Sequence, residues 1–308
     1  MSVEPVPLAA NAAAAAPVEA RLFAGLARDW GIIAGSVIIL FMVVIGLGAP
    51  MLGTMSPSEI NPAFRNRVPG TVQTISRADA STTFTHRMGT DSLGRDVYSR
   101  VVYGARVSLL VGITVAAISV AIGLVIGLVA GYFRWVDAIV MRLMDGLMAI
   151  PAILLAIALV SLFHAGLLSV IVAITVPEIP RVVRLVRSIV LSVREEPYVE
   201  AAIMVGTPTP LLLVRHVLPN TIPPLIVQGT FICANAILIE AILSFLGIGI
   251  PPETPTWGNI MAEGRGLFRI YPHNIFFPGI CLALTVLAVN MLGDGLRDRL
   301  DPKLARRV

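Results

Sequence analysis

The sequence predicts an all-α, polytopic membrane protein with about six transmembrane helices, and three observations carry that reading. The 308 residues are 56% hydrophobic and only 14% charged, with a mean hydropathy of +0.85, whereas a soluble domain carries about 25% charged residues. The apolar residues gather into runs of roughly 17 to 25, the length that crosses about 30 Å of hydrocarbon. These runs do not alternate with the period of a membrane β-strand. In lipid the backbone must then satisfy its own N–H and C=O groups, which leaves helices.

Along the chain, residues 1–29 are rich in alanine and proline at their start and read as a disordered tail without the order of a cleavable signal. The first span covers 30–52, and an extracytoplasmic segment follows over 53–106, polar and dotted with proline. The membrane-spanning core occupies 107–308. It opens with a second span, Val107 to Tyr132, studded with Gly112, Gly123, Gly127 and Gly131, small residues that let helix backbones approach closely. A short link, Phe133 to Arg142, leads to an apolar stretch from Leu143 to Pro180, too long for one helix and divided into two spans at His164-Ala165-Gly166. The stretch 181–220 is arginine-rich and reads as a loop bearing two short amphipathic helices. A fifth span runs from Thr221 to Ile250, a Pro/Gly-rich loop reaches Pro272, and a sixth span, Asn274 to Leu292, precedes the charged tail Asp294 to Val308.

Six spans put both termini on one side. Arg21 and Arg28 precede the first span, and arginines recur at 134, 142, 181, 184, 187 and 194 and in the C-terminal tail, so the positive-inside tendency places both termini in the cytoplasm. Six arginines in the long outer segment run against that tendency, which long loops obey poorly. The net charge of +4 and pI of about 9.5 follow from this topology; no basic stripe interleaved with aromatics points to nucleic acid. Cys233 and Cys281 lie in apolar stretches and read as small buried hydrophobes.

Energy-converting chemistry is missing. A P-loop needs a lysine behind glycine, and the only lysine, Lys303, follows Pro302. There is no Gly-x-Ser-x-Gly elbow and no His-Glu-x-x-His pair, and the four histidines stand far apart. No metal site is expected.

The functional signal lies in the loop. Glu200, Ala201 and Ala202 are followed after three residues by Gly206, and after nine more by His216, Val217, Leu218 and Pro219. Physically this is a helical turn behind Pro197, a glycine able to end it in the left-handed conformation, and a second helix for which Thr207 can serve as cap and Pro208 as first residue, with Pro219 as its stop. The spacing resembles the coupling loop of bacterial ABC importer permeases, with His216 at a position the family usually fills with an apolar residue. Met88–Asp96, Tyr103–Arg106, Ser244–Gly247 and Trp257-Gly258 strengthen the likeness to the dipeptide/oligopeptide/nickel permease family, "C"-type subunit. The resemblance implies the type I importer permease fold in a bacterial plasma (inner) membrane. It also implies a second, paralogous permease, two ATPase subunits that bind the ATP and Mg, and an extracytoplasmic substrate-binding protein; this chain itself would hold no cofactor. Glu200, Ala201, Ala202, Gly206, Leu218 and Pro219 are its expected ATPase-coupling residues, with Arg215 and His216 as polar contacts. Cargo would be a dipeptide or oligopeptide, or alternatively nickel or another small solute; an ion-coupled secondary transporter is the alternative of another class.

Two further sites follow from the residues. Glu240, within the fifth span, must face a cavity or a partner, because a carboxylate facing lipid costs about 2.5 kcal/mol or more; it is a translocation-pathway candidate or an interhelical contact. Asp91, Arg95 and Asp96 in the outer segment can form a salt-linked network, either a structural collar or a gate. Asp145 is expected to pair with Arg142 three residues away.

Overall fold

The computed structural model describes residues 29–77, 80–163 and 166–300. All but the last residue of the N-terminal tail, the expected turn residues His164 and Ala165, and the tail beyond Leu300 lie outside the described residues. The elements are α1 (Trp30–Leu47), a hairpin of β1 (Thr71–Arg77) and β2 (Ala80–His86), α2 (Val97–Tyr132), α3 (Arg134–Met148), α4 (Ala152–Leu162), α5 (Leu167–Val193), α6 (Pro197–Met204), α7 (Thr209–Phe245), α8 (Trp257–Gly264) and α9 (His273–Leu300).

Four helices, α1, α2, α7 and α9, are long and apolar enough to cross a membrane. The pair α3 and α4, bent by 89° at its break, makes a fifth crossing if taken together. Pro151 starts α4 and has no N–H to continue α3. The bridge between the second and third spans is thus a helix in its own right, and α4, with 11 residues, is too short to cross alone. The other helix of the bundle, α5, has the length at 27 residues but carries Glu178, Arg181, Arg184 and Arg187.

Glycine and valine set the central packing. A Cβ on Gly123, Gly127 or Gly131 would sit 2.5, 2.7 and 2.7 Å from the Cβ of Val182, Val186 and Val190 respectively. Spaced by four residues on both helices, these contacts make α2 and α5 parallel and in close backbone contact, as small residues allow. The core around the seam is apolar, with Val111, Val115, Val160, Ile174, Leu212, Ile232 and Leu243 all buried. Arginine in the C-terminal half of α5 is paired with α3: Arg187 chelates Asp137, and Arg184 Nη2 donates to Asp145 at 2.5 Å. Asp145 therefore pairs across helices and not with Arg142.

Asp29 caps α1 by accepting from the amides of Gly31 and Ile32 at 2.9 and 3.3 Å, and lies 4.0 Å from Arg299 near the end of α9. The start of α1 and the end of α9 thus share one face of the molecule.

Two differences from the sequence reading concern secondary structure. The outer segment contains an antiparallel hairpin, Thr71 opposite His86 through Arg77 opposite Ala80, within an otherwise helical protein. And the helices on either side of the expected loop 181–220 run deep into it: α5 continues to Val193, and α7 begins at Thr209 and runs unbroken through Pro219 into the membrane.

Candidate functional site

The loop that remains is short. Pro197 opens α6 at its first position, where a missing N–H costs nothing. The helix closes in a Schellman arrangement: the Thr207 amide donates to the Ala202 carbonyl at 3.1 Å and that of Gly206 to Ile203 at 2.9 Å, with Gly206 at φ +85°. Thr207 is not a side-chain cap; α7 starts at Thr209, with Pro210 in its first turn.

Pro219 does not stop α7. Its ring would collide with the carbonyl four residues back in a regular helix, and the turn before it, Leu213–Val217, is widened into a π-helix, a known means of carrying such a disturbance inside a continuous helix. Val199, Leu212 and Val217 are fully buried and anchor the two short arms to the core, while Asn220 Nδ2 donates to Tyr198 Oη at 3.1 Å and to the His216 carbonyl at 2.8 Å, tying α6 to α7.

What this element presents outward is chemically mixed. Glu200, Ala201, Gly206, Arg215 and Pro219 are exposed, Ala202, His216 and Leu218 half-buried. His216 Nδ1 is buried with no hydrogen-bond partner among the described residues. Between Ala202 and Gly206 stand Met204 and Val205, 89% and 87% exposed. Sequence reasoning passed over these two because they fall in the unspecified positions of the spacing. Two large apolar side chains at an exposed tip, flanked by a carboxylate and an arginine, form a surface suited to a complementary groove. A cavity of about 450 Å³ lined by Leu185, Pro223, Gln228, Arg297 and Leu300 lies where α5, α7 and the end of α9 meet, so this end of the bundle is also the end that carries α9's terminus.

At the opposite end the outer block is a buried ionic cluster. Asp91 Oδ2 accepts from Arg95 Nε at 2.7 Å and from Arg100 Nη1 at 2.8 Å; both arginines also reach Glu263 of α8, Arg100 at 2.8 Å. Burial holds the Glu263 carboxyl above its ordinary range, against the opposing pull of the Arg100 and Arg95 guanidinium groups. Asp96 belongs to a neighbouring network: it caps α2 through the Ser99 amide at 2.7 Å and receives His86 Nδ1 at 2.9 Å, while His86 Nε2 meets Gln73 of the hairpin at 2.9 Å. Asp91, Arg95 and Asp96 are thus close together but divided between two networks. Arg100, Glu263, His86 and Gln73, not singled out in the sequence, complete them. Trp257 locks the block from behind, its indole N–H donating to the Val101 carbonyl at 3.1 Å.

Glu240 lies wholly buried, its carboxylate accepting from Ser244 at 2.8 Å and from Ser108 of α2 at 3.4 Å; it stitches α7 to α2. A second carboxylate within the bundle, Glu178 of α5, is equally buried. It accepts from Asn235 Nδ2 of α7 at 2.6 Å and, through both oxygens, from Arg181 Nη1 at 3.1 Å. The sequence reading took Leu143–Pro180 as an apolar stretch, singled out Asp145 within it and missed Glu178.

Comparison with known proteins agrees with this geometry. Residues 123–306 match the family described as binding-protein-dependent transport system inner membrane component. A protein described as a probable peptide ABC transporter permease, from Sinorhizobium fredii, is 61% identical over 219 residues, 71% of this chain and 75% of that protein. A dipeptide transport system permease protein of Alkalihalophilus pseudofirmus is 39% identical over 273 residues, 88% of this chain and 86% of its own. Among solved structures, a chain of a methionine ABC transporter in inward-facing conformations superposes with a TM-score of 0.51 at 19% identity, over 65% of this chain and 96% of that one.

Proposed function

The chain belongs to the family of binding-protein-dependent transport system inner membrane components, and from that premise we propose that it is one of two non-identical permease subunits of an ATP-driven importer for dipeptides and oligopeptides. The named relatives support the peptide class: those cited are a peptide and a dipeptide permease. The single observation that carries the mechanism is the exposed element from Glu200 to Pro219, rigid at its base and apolar at its tip.

In this reading an extracytoplasmic binding protein delivers the peptide, and ATP and Mg act on two partner ATPases. The Met204–Val205 tip and Gly206 seat in a groove of one ATPase, with Glu200 and Arg215 at the rim, Ala201 and Ala202 offering a small-residue packing surface, and His216 reaching a polar group of the partner. Closure of the ATPase pair on ATP pushes this element. Because α7 is helical from Thr209 to Phe245, the displacement passes into the bundle without a slack joint. Leu218 and Pro219 lie at the stiffened junction. The element, the end of α9 and the start of α1 then face the cytoplasm, and the Asp91–Arg95–Asp96 block faces the binding protein outside the plasma membrane. Glu240 braces α7 against α2 beside the pathway, and the chain itself holds no cofactor.

The test is affinity purification of the tagged chain from detergent. Recovery of a second permease, an ATPase and a binding protein is expected, and Glu200→Arg should leave the chain in the membrane while losing the ATPase. Retention of ATPase by that variant, together with uptake abolished by collapsing the proton gradient but not by removing the ATPase, would replace this reading with ion-coupled transport.

A further inference from the structure

Arg181 occupies an unusual place. Its partner valine, Val182, is level with Gly123 of α2, and Gly123 lies near the middle of the apolar stretch Val107–Tyr132. The backbone at Arg181 therefore stands within about 6 Å of the middle of that stretch, at ~1.5 Å of rise per residue. Yet its side chain is 46% exposed. A half-exposed arginine at that depth is strongly disfavoured against lipid and belongs to a water-filled path or an internal partner.

The way it is held is equally specific. Nη1 alone is engaged, bridging both oxygens of the fully buried Glu178, which Asn235 fixes from α7. Among the described residues Nε and Nη2 have no hydrogen-bond partner. Those two N–H groups form the side-on fork of a guanidinium, whose planar geometry matches a carboxylate with two parallel hydrogen bonds. Further along the same faces, Arg184 is already committed to Asp145 and Arg187 to Asp137. Of the three arginines on α5 below Glu178, one offers an open fork, and it is the one nearest the centre of the membrane.

Resting on the peptide-importer reading, we infer that Arg181 is a pathway residue that receives the C-terminal carboxylate of the passing peptide, with Glu178 and Asn235 as positioning residues that present the fork. Glu178 also leaves the site with no excess positive charge, so a carboxylate is attracted by directed hydrogen bonds more than by bulk charge and can leave again.

The experiment uses the assembled transporter in proteoliposomes, with its binding protein, and two probes: trialanine and its C-terminal amide. The binding protein is common to all samples, so a change in the acid-to-amide uptake ratio between variants reports on this chain. In Arg181→Gln the ratio should fall by about tenfold, the loss expected for a charge-assisted hydrogen-bonded pair. Arg181→Lys, which keeps the charge but not the fork, should fall between, and it carries the comparison if the glutamine variant does not reach the membrane. An unchanged ratio, an equal loss of both probes, or loss of the second permease from the purified complex overturns the assignment. A wild-type transporter that moves neither probe overturns the peptide reading itself.

Discussion

Gly206 has φ +85° with nothing within 4 Å of where a Cβ would stand, so replacing it tests backbone conformation and not crowding. Gly206→Val should cost about 1–2 kcal/mol through the left-handed strain, tilt the tip, and lower ATPase recovery in the purified complex with the membrane level of the chain retained; Gly206→Asn should be milder, since asparagine tolerates that conformation. At the outer end, Arg100 is fully buried between two carboxylates. Arg100→Met should leave Asp91 and Glu263 with Arg95 as their one remaining shared cation, so that one buried negative charge goes uncompensated, a loss of about 3–5 kcal/mol, read as a lowered melting temperature in detergent. The short helix ending at Gly206 was legible because local chemistry sets it: Pro197 opens it and a glycine at positive φ closes it. Glu178 and the Arg100–Glu263 contact were not, since their partners lie 57 and 163 residues away and no periodicity announces them.

Among the helices, the seam of Gly123, Gly127 and Gly131 against Val182, Val186 and Val190 depends on the absence of side chains from one of the two helices. Gly127→Ala already places a Cβ 2.7 Å from that of Val186, and overpacking of this kind costs about 1–3 kcal/mol. The prediction is a lower thermal midpoint for Gly127→Ala and partial recovery in the double variant with Val186→Ala, measured by a fluorescence unfolding scan. Small residues at helical spacing made this helix readable from sequence, though not its partner. The first, second, fifth and sixth spans were readable for the ordinary reason that long apolar runs have few alternatives. Three features were hidden by physical exceptions to that rule. The α3–α4 pair is bent by 89° at its break; α5 holds its charges by pairing them; and the hairpin 71–86 is rich in threonine and serine, so it lacks the apolar alternation that marks a half-buried strand. Pro219 misled because a π-turn can absorb a proline that a regular helix cannot.

For the molecule as a whole, the chain presents the exposed element from Glu200 to Pro219 and, among its described residues, large exposed apolar side chains on α1, α2 and α7, such as Phe41, Ile113 and Ile226, which lipid or a second permease would cover. Vesicles reconstituted with this chain by itself should accumulate no trialanine with ATP inside or out, whereas vesicles with the purified complex should do so when ATP is present on the ATPase side. Uptake by the lone chain would sink the division of labour. The α2–α5 seam also limits how the bundle can move. Over three successive turns Val182, Val186 and Val190 fill the places that side chains on Gly123, Gly127 and Gly131 would take. Helices keyed together in this way cannot slide past each other without collision, so a push on either one carries both as a single body.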